Sequence, residues 1–176
     1  MQFIETDVEG AYVIEPSKIG DERGFFARAW CQDTFQEAGL CSTIRQSNMA
    51  VSRSRGTLRG LHYQRPPFEE VKVVRCFKGA MFDVVVDLRP DSPTYLKWHG
   101  VELNDSNHLA LYVPEGCATG YLTLVDETAM EYYTSQVYDP ASATGVRFDD
   151  PLFGISWPLE PTVMSSQDES WEYLTR

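Results

Sequence analysis

Residues 71–89 read VKVVRCFKGAMFDVVVDLR, two β-rich segments that meet at Gly79. In the second, Phe82, Val84, Val86 and Leu88 alternate with Asp83, Val85, Asp87 and Arg89. A period of two suits a strand and not a helix, whose apolar face recurs every three or four residues. The pattern does not stop there. YLKWHGVEL (95–103) and HLALYVP (108–114) follow, parted by the turn composition NDSN. GYLTLVD (120–126) and AMEYYTSQVY (129–138) continue it. Short strands at regular spacing with turn signals predict a sandwich or small barrel. Helix signals are sparse. DTFQEAGL (33–40) predicts one short helix with Asp33 near its start and Gly39 as its stop. SSQDESWEYL (165–174) predicts another, with Ser166 and Glu169 spaced as a capping box. The chain is therefore expected to be mainly β, with short helices at its periphery.

At 176 residues the length favours one domain, and no repeat or low-complexity linker divides it. With 43% hydrophobic and 23% charged residues the composition is that of a globular protein. The formal net charge of −11 argues against nucleic acid as a partner, because gripping a phosphate backbone needs a cationic surface. A small anionic ligand remains open, since it needs only a local cluster of Arg and Lys. No apolar run is long enough for a membrane helix. The start, MQFIETD, lacks the basic and apolar stretches of a signal peptide. Cys31, Cys41, Cys76 and Cys117 are scattered without a C-x-x-C pair, which fits reduced thiols in a cytoplasmic protein.

The chemistry-bearing residues cluster in RGTLRGLHYQ (55–64). Arg59 and His62 are three apart and would point to opposite faces of a regular strand, so Gly60 between them suggests a bulge or bend. Histidine is the side chain best suited to proton transfer near neutral pH, though a lone histidine also fits a surface or core role. Lys72 stands inside an apolar run and either snorkels outward or faces a barrel cavity. Tyr132 and Tyr138 share a face if their strand is regular, which also fits simple packing. Metal-binding barrels of the cupin type carry an H-x-H pair, a later Glu and another His after a Pro-x-Gly turn, which Pro114-Glu115-Gly116 resembles. His62 is followed instead by Tyr63 and Gln64, and Thr119 fills the last place, so no bound metal is expected.

Five stretches in order resemble the dTDP-4-dehydrorhamnose 3,5-epimerase family. They are GDERGFF (20–26), LRGLHYQ (58–64), the long run 71–95 ending in the Arg-x-x-Ser-Pro-Thr loop, FDDPLFGISWP (148–158) and MSSQD (164–168). The resemblance implies a double-stranded β-helix, or jelly-roll, barrel of the cupin type over residues 1–176, closing with a helical segment at 159–176. It implies epimerisation at C3 and C5 of a 4-keto-6-deoxy sugar linked to a nucleoside diphosphate, with no metal or redox cofactor. The keto group acidifies the neighbouring C–H bonds; a base forms the enolate and an acid returns a proton to the other face. By resemblance His62 is the base, Asp168 its orienting partner, Tyr132 the acid and Lys72 the cation for the enolate. Arg59 and Arg23 would grip the diphosphate. Gln46, Asn48 and Tyr138 would line the ligand. Phe26 would reach the site from a neighbouring subunit, since family members are typically dimers that exchange N-terminal strands.

Two positions depart from the family pattern. Arg28 stands where the family usually has Glu. If that Glu accepts from thymine, an arginine would favour CDP or GDP, unless Arg28 faces solvent. Thr119 stands where the family commonly has His, which raises a different sugar or a single inverted centre, C3 or C5. A non-catalytic sugar-nucleotide-binding barrel is the alternative of another class. It has no need of both a base and an acid.

Overall fold

The computed structural model describes residues 1–175. Before the central strands lie β1 (Gln2–Glu5), β2 (Tyr12–Glu15), β3 (Lys18–Asp21), β4 (Gly24–Ala27), α1 (Gln32–Glu37) and β5 (Gln46–Ser52). The centre is β6 (Leu58–Gln64), β7 (Lys72–Lys78), β8 (Ala80–Asp87), β9 (Trp98–Asn104), β10 (Ala110–Val113), β11 (Cys117–Thr123) and β12 (Thr128–Thr134). β13 (Ala143–Gly145) and α2 (Ser166–Ser170) complete the order. Two antiparallel sheets face each other, as expected of a jelly-roll barrel. One has the order β1-β2-β10-β7-β12-β5 and the other β13-β6-β11-β8-β9. β3 and β4 form a separate hairpin.

Strand bounds shift where the backbone turns. β9 starts at Trp98 and not at Tyr95, because Leu96 takes a left-handed conformation (φ 64°) and the Lys97 amide closes onto Thr94 O. β11 starts just after Gly116 (φ 76°), three residues before the expected start. β12 ends at Thr134, whose hydroxyl turns onto Gln136 O, so Tyr138 lies in the loop beyond it. The first helix ends as predicted: the Gly39 amide bonds Gln36 O and the Leu40 amide bonds Phe35 O, with Gly39 at φ 72°. The second is shorter than predicted, and its cap is one residue earlier. Ser165 accepts from the Asp168 amide at 3.1 Å. Among the described residues the helical segment expected at 159–176 is thus confined to Ser166–Ser170; the residues before it carry no regular structure beyond the bridge of Val163 to Thr57, which fixes their path along β6.

The alternation in β8 has an unexpected sense. Both of its faces are covered. Val84 and Val86 pack with Phe153 and, at the margin, Trp157 of the C-terminal segment. Met81 and Val85 pack between the sheets with Leu111 and Met130. Asp83 and Asp87 share the parity of Val85 and are 1% and 0% exposed, so they point into the barrel and not to solvent.

Candidate active site

One half of the space between the sheets is apolar core; the other half is a cavity of about 340 Å³. Strand parity decides which side chains enter it. From the six-stranded sheet come Gln46 and Asn48 on β5, Lys72 on β7 and Tyr132 on β12. From the five-stranded sheet come Arg59 and His62 on β6, Asp83 on β8 and Thr119 on β11. Arg59 and His62 share this cavity because of a bulge. Thr119 pairs with His62 and Tyr121 with Arg59, so two residues of β6 oppose one of β11. Gly60 (φ 137°) and Gly120 make that crossing possible, since a Cβ on Gly60 would stand 2.5 Å from Gly120 Cα.

Asp168 reaches the bulge from α2. Its Oδ1 lies 2.6 Å from His62 Nε2, and its Oδ2 accepts from the Gly60 amide at 3.4 Å. Burial acts to raise the carboxyl pKa, but the hydrogen bond and charge of His62, with the Ser165 bond, hold it below the ordinary value. The Trp171 indole donates to the same Oδ1 at 3.4 Å and sets its ring edge against the imidazole. Gly145 seats that indole, because a Cβ there would lie 2.4 Å from it.

Tyr132 stands on the opposing sheet, between Asn48 of β5 and Val74 of β7. Its phenol makes no hydrogen bond among the described residues, and burial raises its pKa. Lys72 is inside the cavity, the second of its two readings. Its Nζ lies 3.1 Å from Glu70 Oε1 and donates to His62 O at 3.4 Å. Arg59 bridges the sheets at the rim, donating to Ser52 Oγ and Val51 O, each at 3.3 Å. Gln46 Oε1 accepts from the Tyr138 amide at 2.6 Å, so Tyr138 joins the cavity through its loop and not through strand parity. Thr119 donates toward Val84 O at 2.9 Å, with Asp83 Oδ1 at 3.3 Å.

The model of the dTDP-4-dehydrorhamnose 3,5-epimerase family matches residues 5–176. The chain belongs to that family. The dTDP-4-dehydrorhamnose 3,5-epimerase of Methanothermobacter thermautotrophicus is 43% identical over 98% of this chain and 94% of its own. A dTDP-4-dehydrorhamnose 3-epimerase of Streptomyces niveus is 40% identical over 96% of this chain and 82% of its own. The crystal structure of the Bacillus anthracis 3,5-epimerase with TDP and PPi bound superposes with a TM-score of 0.94 at 36% identity, covering 98% and 99% of the two chains. This epimerase is thus an isomerase acting on nucleotide-linked keto sugars.

Three expected ligand residues of the epimerase lie outside the cavity of their own chain. Arg23, Phe26 and Arg28 are on or beside the β3–β4 hairpin and are exposed. Arg23 is paired with Asp21. Phe25 anchors the hairpin, under Lys18 and against His108, while Phe26 stays 67% exposed. Sequence reasoning missed Glu70, Asp83 and Trp171. Glu70 carried a signal, since an acid two residues before Lys72 shares its face. Trp171 carried none. Asp83 was visible only as one member of the alternation in β8, which does not say which face is inward.

Proposed function

We propose that the epimerase inverts C3, C5 or both in a 4-keto-6-deoxy sugar linked to a nucleoside diphosphate. The observation that carries this is a buried carboxylate aligned on His62, with an unpaired phenol on the opposing sheet. With Nε2–H given to Asp168, Nδ1 of His62 holds the lone pair that takes the proton next to the keto carbon. Asp168 stabilises the imidazolium. Charge develops on the keto oxygen as the enolate forms, and the Lys72 ammonium offsets it. Tyr132 then returns a proton to the opposite face, and solvent restores both groups. Arg59 at the rim suits a diphosphate oxygen. A pure binding barrel has no use for an oriented imidazole, which disfavours that reading.

Thr119 favours a second, narrower version. Its hydroxyl is committed to Val84 O, so it supplies no free cation or ring to the sugar. One curated relative is named a 3-epimerase, and a solved neighbour from Streptomyces bikiniensis a 3'-monoepimerase.

The site is completed by a second copy of the chain. β5 is the edge of its sheet, and its outward residues Met49 and Val51 are 77% and 56% exposed. The hairpin offers Ile19, 72% exposed, and Phe26. Seating that hairpin on the partner's β5 would cover both surfaces and bring Arg23, Phe26 and Arg28 toward the partner's cavity. Sedimentation measures this: Met49→Glu is expected to yield monomers, and a monomeric parent protein would refute the arrangement.

Deuterium wash-in from D2O, followed by NMR on a nucleotide-linked 4-keto-6-deoxyglucose, tests the chemistry. His62→Ala should slow exchange by about 10²–10⁴-fold while nucleotide binding is kept. Unchanged exchange sinks the assignment. In the parent protein, label at one carbon alone selects the single-centre version.

A further inference from the structure

Asp83 Oδ2 is the one buried side-chain polar atom without a hydrogen-bond partner among the described residues. It belongs to a residue that lines the cavity, 1% exposed. Besides the adjacent Val84 amide, the carboxyl meets one side chain, Thr119, whose Oγ1 lies 3.3 Å from Oδ1. A threonine hydroxyl has one proton to donate, and here Val84 O is its shorter partner, at 2.9 Å. If the proton goes to Val84 O, Thr119 faces Asp83 with a lone pair. An ionised Asp83 would then be buried with acceptors against its oxygens and no side-chain donor. A protonated Asp83 donates from Oδ1 to Thr119, which donates on to Val84 O, and every proton in the chain is used.

The surrounding charges do not rescue the ionised form. Lys72 on β7 faces the same space, but its ammonium is bonded to Glu70 and His62 O. Tyr121 on β11 turns its hydroxyl to Ser52, 3.4 Å away. His62 on β6 is held by Asp168, and Tyr132 on β12 is a neutral phenol. The Val84 amide and the Lys72 charge favour the ionised form, but burial outweighs them, because a buried carboxylate with no directly paired cation is disfavoured against its neutral form. In accord with this, burial pushes the Asp83 carboxyl up to about 7.

We propose that Asp83 stands in the cavity as a neutral carboxylic acid, held by Thr119, and offers Oδ2 as an acceptor to a hydroxyl of the bound sugar. This rests on the epimerase reading for its ligand but not for its protonation. Asp83 is on this account a specificity-determining residue. It selects a sugar that carries a hydroxyl at the point facing β8, and it does so without adding a negative charge near the enolate. The position of Thr119 matters because a side chain there that could carry a positive charge would draw the proton off Asp83.

Infrared difference spectroscopy on the full protein, with carboxyl-labelled aspartate and no substrate present, reads the protonation directly. The expected result is the carbonyl stretch of a protonated acid below pH about 7, lost as the pH rises through that value, and absent in Asp83→Asn. No such band in the parent protein, or a band that survives in Asp83→Asn, overturns the proposal whatever the activity. Kinetics supply the second arm. Asp83→Asn retains a carbonyl acceptor and Asp83→Leu does not, so kcat/KM of the Leu variant should fall about tenfold or more below that of the Asn variant, and equal losses in the two would also overturn the proposal. A hundredfold loss in Asp83→Asn would mean that the ionised form is the working one and would also overturn it. If His62→Ala leaves exchange unchanged, the epimerase reading fails instead, and the infrared result stands apart from that failure.

Discussion

Asp83 and Asp87 sit on the same strand, point the same way and are equally buried, yet the barrel treats them oppositely. Asp87 lies at the end closed by the loop after β8. It receives the Arg89 amide at 3.0 Å, two guanidinium bonds at 2.8 Å, the Thr94 hydroxyl at 2.6 Å and the Ser92 hydroxyl. Despite burial, those donors hold its carboxyl far below the ordinary value. Asp83, at the open end, has one hydroxyl and an empty oxygen. The difference teaches where a fold spends its donors. A carboxylate wrapped by its own loop is architecture, and the Arg-x-x-Ser-Pro-Thr motif reads as the wrapping. A carboxyl left half unpaired beside a cavity is held for something else.

The sharpest way to break the comparison is to remove the satisfied member. Asp87→Ala should cost about 3 kcal/mol in urea denaturation, because Arg89, Ser92 and Thr94 lose their common acceptor. The same group sets an acid limit. Its folded pKa is depressed, so its contribution is present above the unfolded value near 3.8 and fades as pH falls below it. Asp83 has the opposite sign. Its folded pKa is raised from 3.8 to about 7, so the native state keeps a proton that the unfolded chain has released. Stability from this group is full below the lower value and is lost as pH rises through the upper one. Asp83→Asn should therefore match the parent protein near pH 4 and exceed it by about 4 kcal/mol at pH 8, read by thermal or urea melts. A variant less stable at pH 8 would equate the two aspartates. The smallest change is Ser92→Ala, which takes one donor from Asp87 and should cost about 1 kcal/mol in the same assay.

The barrel was legible in the spacing of residues 71–138, because strand periodicity and Gly or Pro turns are local signals. Local geometry also betrayed the bulge: three-residue spacing between Arg59 and His62 needed a glycine, and Gly60 supplied it. Other features depended on distant chain. The inward turn of Asp83 could not be read from β8, since it follows from the cover that Val146 and Phe153 lay over Val84 and Val86. Ser165 displaced Ser166 as the helix cap for a related reason. The cap that leaves Asp168 free to meet His62 is the one that forms, and that meeting spans 106 residues. Parity placed Tyr138 on the face of Tyr132 and the resemblance placed it at the ligand; it reaches the cavity through Gln46 instead, a side-chain bond with no sequence period.

Every strand of the barrel precedes the segment that carries Asp168. His62 therefore meets its carboxylate partner from the part of the chain made last, after Arg59, Lys72 and Tyr132. A chain cut short near residue 160 would lose Asp168 from His62 together with Gln167 and Trp171 from the cavity wall.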